Sequence, residues 1–440
     1  MLHALKRFVP ATVFDAYHRA LSWLAAAWYR HPSSQLIVIG VTGTNGKTTT
    51  SYFISKALEA VGDKTGCTTT ALFKIDSKEW LNDKKMTMLG RFALQRMLRE
   101  MVDAGCSYAV IETSSQGIVQ HRHRAIAYDV AVFTNLTPEH IEAHGGFENY
   151  KQAKIELFRH VAARSPKVMR GKLIPKIAVL NRDSEFSKEF AVRGLDRVVW
   201  YGRQQCAAGD VCAREVNERG WLSSFTIDGL PTTVHVAGLV NVENATAAVA
   251  TATAVGMPLA DVLHKIEEIH GIPGRFERID LGQPFTVLVD YAPEPASLEK
   301  CYEAIQQIPH ARLIHVLGSA GGGRDVARRP ILGRMAAEQA DVVIITNEDP
   351  YDDEPRKIIE QVAEGARAVG RSGVVVRTVQ DRREAIFAAV KEAQAGDLVL
   401  LTGKGCELAI MVANGGKIPW DEREVARAAI RAILPANPNS

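Results

Sequence analysis

Short apolar runs that end in polar residues recur along the chain, separated by stretches of helical spacing. Leu36-Ile-Val-Ile-Gly-Val41 reads as a strand buried on both faces. Tyr108-Ala-Val-Ile111 ends in Glu112, Val130-Ala-Val-Phe133 in Thr134-Asn135, and Ile177-Ala-Val-Leu180 in Asn181. Ser51 to Val61 has helical spacing, and another helix is expected from near Phe147. Alternating strands and helices predict a mostly parallel sheet covered on both faces. In such sheets ligands meet the polar residues just past the carboxyl ends of strands. Residues 205 to 240 differ: Ser223-Ser-Phe-Thr-Ile227 and Thr232-Thr-Val-His-Val236 alternate like local antiparallel strands, and Asn241 to Val255 is an Ala-rich helix.

A boundary is expected near Gly271-Ile-Pro-Gly-Arg-Phe-Glu277. Beyond it, Thr286-Val-Leu-Val289, Leu313-Ile-His-Val-Leu317, Val342-Val-Ile-Ile345 and Leu398-Val-Leu-Leu401 read as the strands of a second α/β domain. The fold class is therefore α/β. A short helical segment (1–35) precedes a central domain with a phosphate loop (36–275) and a C-terminal Rossmann-like domain (276–440). The tail from Pro435 to Ser440 is expected to fray.

Val9 to Trp28 is apolar but broken by Pro10, Asp15, His18 and Arg19, so it lacks a clean membrane span. It predicts a helix packed on the body, with peripheral membrane contact as the sharper reading. Composition adds exclusions. At 440 residues with 46% hydrophobic and 23% charged positions, the chain can bury sizeable cores. A net charge of +3 is too balanced for a nucleic-acid binder. Cys67, Cys106, Cys206, Cys212, Cys301 and Cys406 are dispersed without a C-x-x-C pair. Neither a zinc ribbon nor a disulfide framework is expected, and ordinary thiols in a cytoplasmic protein fit best.

The most specific chemistry lies at Gly43-Thr44-Asn45-Gly46-Lys47-Thr48-Thr49, between a strand and a helix. Glycines let backbone N–H groups close around phosphates, and the helix N-terminus adds partial positive charge. Lys47 would reach the β- and γ-oxygens and Thr48 would ligate Mg²⁺. The first glycine of the general pattern is Val41, so the loop is a variant form.

With these residues in view, the chain resembles the Mur ligase superfamily. The strings are GVTGTNGKTTT (40–50), ETSSQGIVQHR (112–122), TNLTPEHIEAHGGFENYKQAK (134–154), NVENATAAVA (241–250), GRFE (274–277), VDYAPEPASLE (289–299), RRP (328–330) and GKGCE (403–407). SSQGIVQHR points within the superfamily to the MurE type, the UDP-N-acetylmuramyl-tripeptide synthetases. The resemblance implies an ATP-dependent amide ligase of peptidoglycan-precursor synthesis. ATP phosphorylates the carboxylate of a muramyl-peptide-like acceptor, and a free amino acid attacks the acyl phosphate. It implies Thr48 and Glu112 as ligands of one Mg²⁺, His140 as a ligand of a second, and Lys154 as a carbamylated lysine of the metal site. It places Thr87, Ser114, Gln120 and Arg122 on the acceptor, and Asn244, Arg275 and Asp290 on the nucleotide. Arg324, Glu348, Asp349, Gly403 and Glu407 fall on the incoming amino acid. No obligate protein partner is implied.

Three departures bear on substrate. Only about 35 residues precede the first strand, so the uridine-nucleotide domain of MurE enzymes is expected to be missing or much shortened, and a non-UDP acceptor is the alternative. The family's DYAHTP string is Asp290-Tyr-Ala-Pro-Glu-Pro295, without its His. The DNPR motif of diaminopimelate-adding enzymes is Glu348-Asp-Pro-Tyr351, which loses a bidentate Arg clamp. The surrounding acids either greet a distal ammonium or form a solvated charge run. A folylpolyglutamate synthetase fits less well, as does a MurT-type subunit, whose cysteine ribbon is missing. An ATP-binding scaffold is a further reading; a GTPase lacks its N-K-x-D motif.

Overall fold

In a computed structural model, residues 11–137, 144–169, 171–323 and 326–434 are described. His140, Arg324, the tail from Pro435, and the start of the N-terminal segment lie outside them.

The first layer is a nine-stranded sheet. Its strands are β1 (Ile37–Thr42), β2 (Thr65–Thr68), β3 (Leu72–Ile75), β4 (Lys78–Leu81), β5 (Tyr108–Glu112), β6 (Val130–Phe133), β9 (Ile177–Asn181), β10 (Arg197–Gly202) and β11 (Val211–Cys212). The hairpin β7 (Lys167–Met169) and β8 (Lys172–Ile174) lies apart from it. The order is β11-β10-β9-β6-β1-β5-β2-β3-β4. All pairings are parallel except β2 with β3 and β3 with β4. Central β1 lies between β5 and β6, where the strand order reverses direction, and that is where ligands settle on open α/β sheets.

The helices are α1 (Ala11–Trp28), α2 (Lys47–Ala57), α3 (Arg91–Asp103), α4 (Ser115–Val119), α5 (Phe147–Ala162), α6 (Leu239–Ala254) and α7 (Leu259–Glu267). The pleat sends alternate residues to opposite cores, which is why the strands read as unbroken apolar runs. Ile39, Val41, Tyr108 and Val110 join α2, α6 and α7. Val38, Ala109 and Ile111 join α3 and α5. Gly40 is demanded by closeness: a Cβ there would lie 2.8 Å from the Tyr128 ring and 3.2 Å from Leu157.

A three-stranded antiparallel sheet, β12 (Arg214–Arg219), β13 (Leu222–Ile227) and β14 (Leu230–Val234), accounts for the alternating segment. A six-stranded sheet then starts at β15 (Glu277–Ile279). It continues with β16 (Thr286–Val289), β17 (Leu313–Leu317), β18 (Val342–Ile345), β19 (Val375–Thr378) and β20 (Leu398–Leu401), in the order β15-β16-β20-β17-β18-β19. Only β15 is antiparallel. Helices α8 (Pro295–Gln306), α9 (Arg328–Gln339), α10 (Pro355–Arg367), α11 (Arg382–Glu392) and α12 (Glu422–Ile433) complete this Rossmann-like layer. The hairpin β21 (Ala409–Val412) and β22 (Gly416–Pro419) follows β20.

Helix α1 packs on the central layer. Ser22 Oγ donates to His121 O (2.8 Å), Arg91 Nε donates to Ser22 Oγ (3.1 Å), and Asp15 pairs with His121 and Arg19. Its other side exposes Tyr17, Trp23, Leu24 and Trp28. Among the described residues no helix is long and apolar enough to cross a membrane.

One expectation is corrected. Cys206 and Cys212 form a disulfide, with Cα atoms 6.2 Å apart, so they are not ordinary thiols. The turn between β10 and β11 folds back because Asp183 accepts hydrogen bonds from the N–H groups of Arg203, Gln204 and Gln205, while Asp210 holds Ala207 N and Arg182. That return brings together cysteines whose spacing matches no familiar motif. Cys67, Cys106, Cys301 and Cys406 are free and buried.

Candidate functional site

The phosphate loop runs from the end of β1 into α2, and its shape is set by groups from neighbouring strand ends. Asn135, just past β6, accepts from Asn45 N (2.8 Å) and its carbonyl accepts from Thr44 N (2.9 Å). Thr134 Oγ1 donates to Asn45 O (2.7 Å). Gly46 has φ +79, a left-handed conformation that favours glycine, and its Cα abuts the Asn244 carboxamide of α6. Asn244 in turn accepts from Thr50 Oγ1 (3.0 Å). The loop therefore has a fixed shape, held by bonds outside itself. Lys47 Nζ donates to Thr44 O (2.6 Å), which folds the side chain over the loop.

Thr48 Oγ1 donates to Glu112 Oε2 at 3.0 Å, which joins the loop to the end of β5. Glu112 also accepts from Thr70 N (2.6 Å) and Thr70 Oγ1 (3.1 Å), and the Thr87 hydroxyl lies 3.0 Å from Thr70 Oγ1. Arg275 Nη2 reaches Thr48 Oγ1 (3.2 Å) from the start of the second layer, and its guanidinium stacks on Tyr291 at 4.6 Å. Lys154, on α5, is buried; its Nζ donates to Gly43 O (2.6 Å) and sits 4.3 Å above the Tyr150 ring.

These groups open on a cleft of about 560 Å³ between the two layers. Its near wall carries Thr44 to Thr49, Glu112 and Thr87; its far wall carries Arg328, Glu348, Asp349, Tyr351 and Glu407. A second hollow adjoins it, lined by Asn45, Gly46, Asn244, Arg275 and Asp290 among others. Burial pushes the Asp290 carboxyl above its ordinary value, against the pull of Arg275. Asp290 Oδ2 accepts from Phe276 N (2.7 Å).

Other expected residues gather elsewhere. Ser114 caps α4 by accepting from Gly117 N (3.1 Å), and Arg122 Nη2 donates to Gln120 Oε1 (2.6 Å). Arg122 also bonds Met88 O, and Arg91 bonds Gln120 O. These three residues form their own cluster and do not line the cleft.

On the far wall, Asp349 and Glu407 are already neutralised. Lys404 Nζ donates to Asp349 Oδ1 (2.9 Å) and Glu407 Oε2 (2.7 Å). Lys85 crosses from the central layer to pair with Asp349 and, at 3.1 Å, with Glu407. Burial pulls the Asp349 carboxyl upward, but Lys404 and Lys85 outweigh it and hold it below the usual value. Asp353 pairs with Arg329 (3.1 Å), and Asp352 accepts from Asn414 N (2.7 Å). The acidic run is thus engaged in structure. Glu348 differs, and burial pushes it up to about 7. Lys85 and Lys404 are not among the site residues expected from the sequence. Lys85 sits in Asp83-Lys-Lys-Met86, which reads as a solvated charge run. Lys404 carries a better signal, since it lies between two glycines just past a strand end.

Two oxygen donors of the expected Mg²⁺ site, Thr48 and Glu112, are adjacent. Mg²⁺ suits hard oxygen ligands and keeps waters and substrate phosphates for the rest, so the pair fits. Among the described residues no group of three or more His, Cys, Asp or Glu side chains could hold a metal.

Known proteins resemble this chain over most of its length. Residues 41–252 match the Mur ligase middle domain and 274–405 the Mur ligase glutamate ligase domain. A UDP-N-acetylmuramyl-tripeptide synthetase from Roseiflexus sp. (strain RS-1) is 40% identical over 446 residues, covering 97% of this chain and 84% of the relative. A UDP-N-acetylmuramoyl-L-alanyl-D-glutamate–2,6-diaminopimelate ligase from Geobacillus kaustophilus is 36% identical, covering 96% and 84%. A solved structure of a ligase of the latter name superposes with a TM-score of 0.62 at 27% identity, over 94% of this chain and 83% of that one. A Mycobacterium tuberculosis folylpolyglutamate synthase, 18% identical with a TM-score of 0.67 over 88% and 92%, shares the fold.

Proposed function

We infer, from the premise that this chain belongs to the Mur ligase family, that it is an ATP-dependent amide ligase of peptidoglycan-precursor synthesis. The observation that carries the reading is the cleft itself, where the phosphate loop faces a wall of ionic groups across about 560 Å³. We propose that ATP lies with its phosphates on Gly43 to Thr49 and its nucleoside toward Asn244, Arg275 and Asp290. The acceptor carboxylate enters beside Thr87 and Glu112. Carboxylate and triphosphate repel each other, so positive charge must be supplied where they meet. Lys47 supplies it from the loop and Arg275 from across the cleft. Mg²⁺, held through Thr48 and Glu112, would neutralise phosphate charge. His140 would serve a second ion, and Lys154, as a carbamate, would supply an anion to it. The walls hold the acyl phosphate and the amino acid together, and that positioning supplies much of the remaining rate.

The acceptor is a muramyl-peptide carboxylate, UDP-linked or not, and Ser114, Gln120 and Arg122 would contact its outer part. A cytoplasmic reaction is part of this proposal, because ATP is one of its reactants. Any peripheral membrane contact would fall to the exposed aromatic side of α1. ADP release measured over a panel of acceptors, with and without UDP, against all amino acids tests the proposal. Release that needs both an acceptor and an amino acid supports it; release with neither refutes it.

Amino-acid choice turns on Tyr351. Its backbone is left-handed (φ +52), its N–H bonds Met411 O at 3.2 Å, and its side chain lines the cleft where diaminopimelate-adding enzymes carry the Arg of their motif. Lys85 and Lys404 already neutralise Asp349 and Glu407. What disfavours a distal carboxylate is therefore the missing guanidinium, and lysine or ornithine is the expected substrate. Tyr351→Arg should shift kcat/KM toward meso-diaminopimelate by roughly tenfold to a hundredfold, the worth of one charge-assisted contact. Wild-type preference for diaminopimelate would sink the selectivity argument and leave the ligase reading standing.

A further inference from the structure

Of the carboxylates lining the cleft, Glu348 alone among the described residues has neither a hydrogen bond nor an ion pair. Glu112 is bonded to Thr48 and Thr70, Glu294 pairs with Arg328, and Asp349 and Glu407 pair with Lys85 and Lys404. Glu348 is only 5% exposed, yet it is on the cleft wall. It follows β18 by three residues, past the carboxyl end of a parallel strand, where such domains bind ligands. The charged groups around it are committed elsewhere. Arg328 is held by Glu294, and Arg382 is held by Glu422, with Nε at 2.9 Å from Oε2. Lys404 is held by Asp349 and Glu407. A buried carboxylate left without a partner is costly unless it has a use in the site.

The ligase reaction has such a use. Amino acids arrive as ammonium ions, and only the free amine can attack an acyl phosphate. We propose that Glu348 takes the proton from the ammonium of the incoming amino acid and so delivers the attacking amine. This rests on the ligase reading. In the step, one N–H proton passes to the Glu348 carboxylate and the freed lone pair forms the C–N bond. The acyl C–O bond then breaks, and phosphate departs with a second proton from nitrogen. Glu348 returns its proton to solvent. Burial and the Asp349 charge beside it raise its proton affinity, against the pull of Arg328, Arg382 and Lys404, to a value near 7. A base poised there is ionised often enough to accept a proton at neutral pH and basic enough to take one.

Glu348→Gln keeps the shape and removes the base, and hydroxylamine separates the two halves of the reaction. It is a weakly basic amine, already neutral at pH 7, that traps acyl phosphates as hydroxamates without a base. With ATP and the acceptor, the variant should still form hydroxamate, losing far less of that rate than of amide formation, which also reports that it is folded. With saturating amino acid at pH 7 its amide formation should fall by about 100-fold or more. Raising the pH should restore it as the amine deprotonates in solution, whereas the wild-type rate should rise through pH 7 and level off. Amide formation at the wild-type rate at pH 7, or equal loss of hydroxamate and amide, would overturn the proposal. Failure of the wild type to form hydroxamate would instead bring down the ligase reading, and this proposal with it.

Discussion

Lys47→Ala should lower kcat/KM for ADP release by about a thousandfold or more while leaving the melting temperature nearly unchanged. The loop's shape does not depend on this side chain. Asn135, Thr134 and Asn244 hold it through bonds to Asn45, Thr44 and Thr50. Lys47 is half-buried at the cleft surface, and its Nζ bonds a carbonyl of the same loop. Truncation therefore opens no core, and the stability cost should stay within about 0.5 kcal/mol. The catalytic cost is different in kind. A thousandfold loss corresponds to about 4 kcal/mol, the scale expected when one fixed charge is taken from a transferring phosphoryl group. ADP release within a few-fold of wild type would refute the assignment of this loop to the triphosphate.

Lys154→Ala should be nearly inactive, and its loss should be partly reversible. Lys154 is 1% exposed, and its Nζ lies against Gly43 O at the entrance of the loop. If it works as a carbamate, the alanine variant lacks an anion and leaves a cavity of side-chain size. Acetate, propionate or added bicarbonate should then restore part of the activity. Intact-protein mass should carry one added CO2 in the wild type and none in Lys154→Met. Truncation also costs packing, on the order of 2–4 kcal/mol, so the melting temperature must be measured alongside. Full inactivity with no rescue, together with an unmodified wild-type mass, would mean that Lys154 acts through its bond to the loop rather than through a carbamate.

How much of this was legible in the sequence follows from what each residue must do. β1, β5, β6 and β9 are covered on both faces, so each is an apolar run with a polar residue at or just past its end. Their limits in the structure lie within a residue or two of those read from the chain. Gly46-Lys47-Thr48 was legible because few other residues let backbone amides approach a phosphate. The strands β2 to β4 were not. Thr65-Gly-Cys-Thr68 is polar although buried, and Lys78-Glu-Trp-Leu81 is an edge strand facing solvent. β19 is another edge, largely exposed, and its short Val374-Val-Val376 run, with only Val374 and Val376 packed on the core, gives way at once to Arg377.

Ion pairs between distant segments were also out of reach. Lys85 and Asp349 are separated by 264 residues, and nothing local to either indicates the other. Family resemblance named Glu348 and Asp349 together as contacts of the amino acid. Only three-dimensional structure separates them, one neutralised by two lysines and one bare. The Cys206–Cys212 bridge was hidden for a similar reason, since the turn that makes it depends on Asp183, more than 20 residues earlier.

The central claim, that an acyl phosphate forms in this cleft, is tested most directly by labelling the acceptor carboxylate with heavy oxygen. An acyl phosphate hands one carboxylate oxygen to the departing phosphate. One labelled oxygen is expected in the released phosphate for each amide formed, read by mass spectrometry. Amide formation with unlabelled phosphate would contradict it.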